Sequence, residues 1–212
     1  MARDAISLLA MRQAIPNILT IGRLVLTLLV LVFLVAAARA WPFGWLDDGA
    51  RAQLRSWAFV FFVVAAVTDF FDGWLARRWN VVSLLGAILD PIADKVLIAG
   101  AIVGLIADGQ VGVALPGGLI LFREFSVSAL RETLAPKGLR LPVTMLAKWK
   151  TTLQLLALAV LLFLQVWQEW GLTCDSVTQA RAQAAGLGLL WLAAVITVWT
   201  GAEYALSARR AL

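Results

Sequence analysis

The chain has 212 residues, 62% of them hydrophobic and 15% charged, with a mean hydropathy of +0.88. Soluble domains run at about 45–50% apolar and about 25% charged, so a simple soluble globule is excluded. There is no histidine and only one cysteine, Cys174. That removes imidazole-based mechanisms, intrachain disulfides and thiolate metal cages. A net charge of +5 in so apolar a chain points to basic loops beside anionic lipid, with no nucleic-acid partner.

A membrane span needs about 20 mostly apolar residues. Six segments meet that need: 18–38, 57–77, 84–107, 111–131, 145–167 and 186–207. Ahead of the first, Ile6, Leu9 and Met11 among Arg and Asp predict a short juxtamembrane helix over 1–14. A signal peptide ending at Ala38-Arg39-Ala40 is the competing reading of the start. The apolar pattern runs back past Arg23 to Ile18, longer than a signal core, and favours a span. Polar interludes fall at 39–56 and 168–185, and Ala107-Asp108-Gly109-Gln110 predicts a tight turn. Pro116-Gly117-Gly118 is expected to loosen the fourth span. No soluble domain fits in these gaps. The expected architecture is all-α and integral to the membrane: one membrane domain over 1–212, with a six-span bundle over 15–212.

Basic residues set the orientation. With the N-terminus in the cytoplasm, Arg3, Arg12, Arg77, Arg78, Arg131, Lys137, Arg140, Lys148, Lys150, Arg209 and Arg210 share the cytoplasmic side. Only Arg39, Arg51, Arg55 and Arg181 lie opposite. Both termini are therefore expected to be cytoplasmic.

The second and third segments carry four aspartates: Asp69, Asp72, Asp90 and Asp94. At a span centre each Asp costs roughly 2.5–3.5 kcal/mol, about 10 kcal/mol for the set if the terms add. Such a cost implies a functional site with a shared counter-charge. Asp69 and Asp72 are three apart and share a helix face, continued by Gly73 and Ala76. Gly86, Asp90 and Asp94 are spaced by four and form one stripe. The hinge between the two helices, Arg78 to Ser83, is short and basic, so they form an antiparallel hairpin. At about 1.5 Å per residue, Asp72 and Asp69 lie about 7 and 12 Å in from Arg77. Asp90 and Asp94 lie about 10 and 16 Å in from Ser83. The four carboxylates can thus meet at similar depth. One or two divalent cations would relieve their repulsion and suit phosphoryl chemistry. A proton or sodium relay in a transporter also uses buried Asp, so the spacing alone leaves both readings open.

The pattern Asp69-x-x-Asp72-Gly73-x-x-Ala76-Arg77, eight residues, Gly86-x-x-x-Asp90-x-x-x-Asp94 resembles the complete signature of the CDP-alcohol phosphotransferases. All eight fixed positions are present. Flanking segments resemble the members of that family that use glycerol 3-phosphate as acceptor. These are Ile15-Pro16-Asn17-Ile18-Leu19-Thr20-Ile21-Gly22-Arg23, Arg123-Glu124, Ala129-Leu130-Arg131-Glu132 and Lys148-Trp149-Lys150-Thr151-Thr152. The likeness runs from about residue 15 to the end. The 168–185 stretch and the Trp-rich last span carry no matching motif.

The resemblance implies a six-span homodimer in the bacterial inner membrane, with a cavity open to the cytoplasm. It implies two divalent cations, Mg2+ or Mn2+, on Asp69, Asp72, Asp90 and Asp94, with Asp94 also the base for the acceptor hydroxyl. It implies CDP-diacylglycerol against Gly73, Arg77 and Ser83, with Asn17 and Thr20 nearby and its acyl tails among the membrane lipids. Attack by glycerol 3-phosphate then gives phosphatidylglycerophosphate and CMP.

The basic residues suit that acceptor. Arg123 and Arg131 lie eight apart on one helix, and Lys148 and Lys150 open the next. Such groups are apt for a phosphomonoester dianion. Arg23, Gly86 and Glu124 take no settled role, and Arg23 could snorkel to the interface. A cardiolipin, phosphatidylinositol-phosphate or phosphatidylserine synthase would share the signature, which handles only the CDP-lipid half.

Overall fold

The computed structural model describes the backbone of residues 2–38, 43–79, 84–134 and 145–211. Side chains are described for 18–38, 43–69, 89, 92–134 and 149–209. There is no strand among the described residues. The helices are α1 (Ala2–Ala37), α2 (Asp48–Trp79), α3 (Leu84–Ala107), α4 (Ala114–Leu134), α5 (Met145–Val166) and α6 (Ser176–Ala211). Five stretches are long and apolar enough to cross a membrane: Ile18–Ala37, Asp48–Asp69, Val111–Leu134, Trp149–Val166 and Ser176–Arg209. The sixth segment read from the sequence is helical throughout as α3, but the side chains of its first turns lie outside the described set. The helices group into two compact units, Met1–Gly104 and Leu105–Leu212.

In the first unit α1 packs along α2. Thr20, Arg23 and Thr27 of α1 are buried, while Ile18, Ile21, Val25, Leu28 and Val32 are exposed. Polar groups turned inward and apolar groups outward reverse the pattern of a helix in water. Lipid imposes this reversal, because hydrocarbon satisfies no hydrogen bond. α3 meets α1 through Gly100 and Gly104, a small-x-x-x-small pair of the kind that lets backbones approach. A Cβ on Gly100 would lie 3.4 Å from Leu31 Cβ, and one on Gly104 only 2.5 Å from Leu34 Cβ. The chain leaving α1 is gathered by Arg51, 3% exposed. Its guanidinium donates to the carbonyls of Ala37, Phe43, Gly44 and Leu46.

In the second unit α6 packs against both α4 and α5. The expected turn after α3 is present. Gly109 takes φ +90°, Gly109 N–H donates to Ile106 and Gln110 N–H to Leu105, which closes the helix carbonyls in a Schellman turn. A buried 2.6 Å hydrogen bond from Gln154 to Thr197 ties α5 to α6. Here too the outward face is apolar, with Phe122, Phe125, Leu156, Leu192, Val195 and Trp199 exposed.

One expectation needs correction, that for Pro116, and two polar interludes take up helix. Half of the polar interlude 39–56 belongs to α2, which starts at Asp48, where the Asp47 side chain accepts the Ala50 N–H at 2.6 Å. Likewise 176–185 forms the opening turns of α6, capped by Asp175. Apolar length marks membrane thickness, and these helices continue beyond it. Pro116 does not loosen α4. It lies in the first turn, where its missing N–H would have had no helical partner.

Candidate active site

Arg23 is 1% exposed despite its full charge. It does not snorkel. One guanidinium nitrogen, Nη1, donates to Asp69 Oδ1 and, at 2.8 Å, to Asp94 Oδ1. Three helices are thereby joined at one charged point: α1 through Arg23, α2 through Asp69 and α3 through Asp94. The Gly100 and Gly104 contacts bring α1 against α3, and this packing carries Arg23 to Asp94. Thr20 is buried one turn before Arg23 on the same stripe of α1. The two carboxylates remain partly open, at 34% and 42% exposure, against the closed guanidinium.

Oxygen donors from different helices that converge on one cation fit the chemistry of a hard divalent ion. Among the described residues no set of three or more acidic or sulfur donors gathers. Asp72 and Asp90, the other two aspartates of the pattern, lie outside the residues with described side chains, as do Asn17, Gly73, Arg77, Gly86 and Lys148. Ser83 lies outside the described residues altogether.

The second unit holds a cluster of opposite sign. Arg123 on α4 and Lys150 on α5 are each 6% exposed. Both donate to Glu124, Lys150 by its Nζ and Arg123 by Nη1 at 3.4 Å. Arg123 Nη2 also donates to Thr200 Oγ1 on α6 at 3.2 Å. Arg131, two turns along α4, donates to the Tyr204 hydroxyl at 2.8 Å. The Tyr204 ring lies 4.9 Å from the Arg131 guanidinium carbon and 5.6 Å from that of Arg123. Among the described residues three cations thus gather around one carboxylate and one aromatic ring, an excess of positive charge. Glu124, which had no settled role, is the anion shared by Arg123 and Lys150.

Thr200, Gly201 and Tyr204 were missed in the sequence reading. A signal was present: Tyr204 is the only tyrosine, and Thr197, Thr200 and Tyr204 recur at helical spacing in an otherwise apolar span.

A family model described as CDP-alcohol phosphatidyltransferase matches residues 13–199. Among curated relatives, a protein of Cereibacter sphaeroides is 40% identical, with 92% of this chain and 95% of the relative covered. One of Salmonella choleraesuis is 40% identical, covering 94% and 97%. One of Escherichia coli K12 is 41% identical, covering 95% and 97%. All three carry the name CDP-diacylglycerol–glycerol-3-phosphate 3-phosphatidyltransferase. Of the two readings left open by the aspartate spacing, these matches select phosphoryl chemistry over transport. With the full aspartate pattern in its second and third helices and a match over nearly all its length, the chain belongs to the CDP-alcohol phosphatidyltransferase family.

Proposed function

We propose that the chain transfers the phosphatidyl group of CDP-diacylglycerol to glycerol 3-phosphate, giving phosphatidylglycerophosphate and CMP. The observation that carries this is the 40–41% identity, over more than nine-tenths of each chain, to relatives named for that reaction. Acceptors without a phosphomonoester have less need of the Arg123, Arg131 and Lys150 cluster, which favours glycerol 3-phosphate over serine or phosphatidylglycerol.

Asp69, Asp72, Asp90 and Asp94 hold two divalent cations, Mg2+ or Mn2+. When bound, these ions neutralise charge that builds on the transferring phosphate. Asp94 takes the proton of the acceptor hydroxyl. The hydroxyl oxygen forms a bond to the β-phosphorus, the bond from that phosphorus to the CMP oxygen breaks, and CMP departs. Arg23 holds Asp69 and Asp94 against mutual repulsion. Asn17, Thr20, Gly73, Arg77 and Ser83 take the CDP-diacylglycerol. Arg123, Arg131, Lys148 and Lys150 take the phosphate of glycerol 3-phosphate.

The remaining architecture belongs to the same reading. The chain is one membrane domain of six spans behind a juxtamembrane helix over 1–14, with both termini cytoplasmic. It works as a homodimer in the bacterial inner membrane, its site open to the cytoplasm.

The test is CMP release by purified protein given CDP-diacylglycerol, Mg2+ and one acceptor at a time. Release is expected with glycerol 3-phosphate and not with phosphatidylglycerol, inositol phosphate or serine. Release with one of those others alone reassigns the acceptor. No release with any acceptor and any divalent metal refutes the transferase.

A further inference from the structure

Arg123 and Arg131 are like charges held around one ring, and like charges close together need a reason. Their placement is enforced by α6. Thr200 Oγ1 accepts from Arg123 Nη2, and its own hydroxyl donates back to the Ile196 and Thr197 carbonyls, so that its lone pairs are aimed at the arginine. Tyr204 does two things at once. Its hydroxyl accepts from Arg131, and its ring lies against both guanidinium groups. An aromatic face attracts cations, so one ring offsets part of the repulsion between two. Gly201 makes room for the arrangement. A Cβ there would lie 2.7 Å from Arg123 Cγ, near the root of that side chain, which has little freedom to yield.

The cluster is charged beyond its own needs. Glu124 offsets one of three cations. Arg123 Nε is buried and has no hydrogen-bond partner among the described residues. A buried guanidinium with a donor to spare, next to a second guanidinium and an ammonium, is suited to a dianion with several oxygens.

We propose that Tyr204, with Thr200 and Gly201 on α6, is the positioning residue that sets Arg123 and Arg131 as a paired clamp for the phosphomonoester of the acceptor. This rests on the reading above that the α4–α6 cluster takes glycerol 3-phosphate. Tyr204 touches neither substrate. It fixes the spacing of the two groups that do, so its loss weakens acceptor binding and leaves the chemical step alone.

The experiment is steady-state kinetics on the full chain with both substrates varied, for Tyr204→Leu, Tyr204→Phe, Gly201→Ala and Arg123→Ala. Tyr204→Leu removes ring and hydroxyl and is expected to raise the KM for glycerol 3-phosphate about tenfold. Its kcat and its KM for CDP-diacylglycerol are expected to stay within about twofold. Tyr204→Phe keeps the ring and is expected to raise the acceptor KM about threefold. Should Tyr204→Leu fail to fold, Tyr204→Phe and Gly201→Ala decide, and both must raise the acceptor KM selectively. If Arg123→Ala raises the acceptor KM and no α6 variant does, the positioning role is overturned while the phosphate site stands. If Arg123→Ala also leaves it unchanged, the site assignment itself falls. Equal effects on both substrates would mark Tyr204 as structural and overturn the inference.

Discussion

The two charged clusters are opposites in construction. In the first unit two described carboxylates, Asp69 and Asp94, share one guanidinium. In the second unit Arg123 and Lys150 share one carboxylate, Glu124, while Arg123 and Arg131 share one ring, Tyr204. Among the described contacts, carboxylates outnumber the cation in one, and cations outnumber the carboxylate in the other. A buried ion pair balanced to zero stabilises little, because desolvation offsets the attraction. A surplus left in a low-dielectric setting destabilises the empty protein and is relieved by a ligand of opposite sign. The difference agrees with the roles proposed above: the carboxylates for cations and the reacting hydroxyl, the guanidiniums for a phosphate.

That division can be broken most decisively at Asp94. Asp94→Asn keeps the size of the side chain and removes the proposed base. It is expected to lower kcat by at least about a thousandfold while CDP-diacylglycerol still binds. Normal turnover with retained acceptor KM would move the chemistry elsewhere. Chelation comes next. EDTA is expected to silence the enzyme and Mg2+ or Mn2+ to restore it, whereas binding of glycerol 3-phosphate to the basic cluster, followed by calorimetry, should survive chelation. Loss of both together would merge the two clusters into one function.

Smaller effects concern how each unit is held together. Gly104→Ala puts a Cβ 2.5 Å from Leu34 Cβ, which is fixed to its backbone, so α1 and α3 must separate. A loss of about 1–3 kcal/mol is expected in thermal unfolding in detergent. Gly186→Ala meets side-chain atoms beyond Cβ, Leu161 Cδ2 at 3.0 Å and Val160 Cγ1 at 3.2 Å, which need to give by only a few tenths of an ångström. With the better helix propensity of alanine, its cost is expected to be near zero, about ±1 kcal/mol. The reverse order would show that close backbone approach does not hold the first unit.

The smallest effect lies at the start of α6. The Asp175 carboxyl is held below its ordinary range, first by the Thr178 hydroxyl and then by the Thr178 N–H. A lowered folded value means that its capping contribution is complete above about pH 4 and is lost as pH falls through that lowered value. Protection of the Thr178 amide against exchange is therefore expected to differ between the natural chain and Asp175→Ala at neutral pH. The difference should vanish in acid below the ordinary carboxylate range.

Much of this was legible beforehand. Asp69 and Asp94 come within reach of one cation because helical periodicity and a short hinge constrain them, and both are sequence-level quantities. The need for a counter-charge was legible too, but not its identity. Arg23 lies 46 residues from Asp69 and 71 from Asp94, and nothing local links them. Their meeting depends on Gly100 and Gly104 fitting against α1, a shape match that periodicity does not encode. Arg123, Arg131 and Lys150 stood out as charges in apolar surroundings. Tyr204 and Thr200 did not, because an uncharged side chain in a Trp-rich span looks like packing until its partner is known. The helix starts at Asp48 and Ser176 were not legible for a simpler reason: hydropathy reports where lipid stops, and hydrogen bonding decides where a helix does.

The Arg51 clasp bears on how the chain reads its own insertion signals. A basic side chain biases topology through its pull on anionic headgroups, and this one has turned its donors inward to four main-chain oxygens. In the folded first unit it is 3% exposed, so its charge is directed to the main chain and little of it is left to reach a headgroup. A count of basic letters therefore overstates what Arg51 offers to an anionic headgroup.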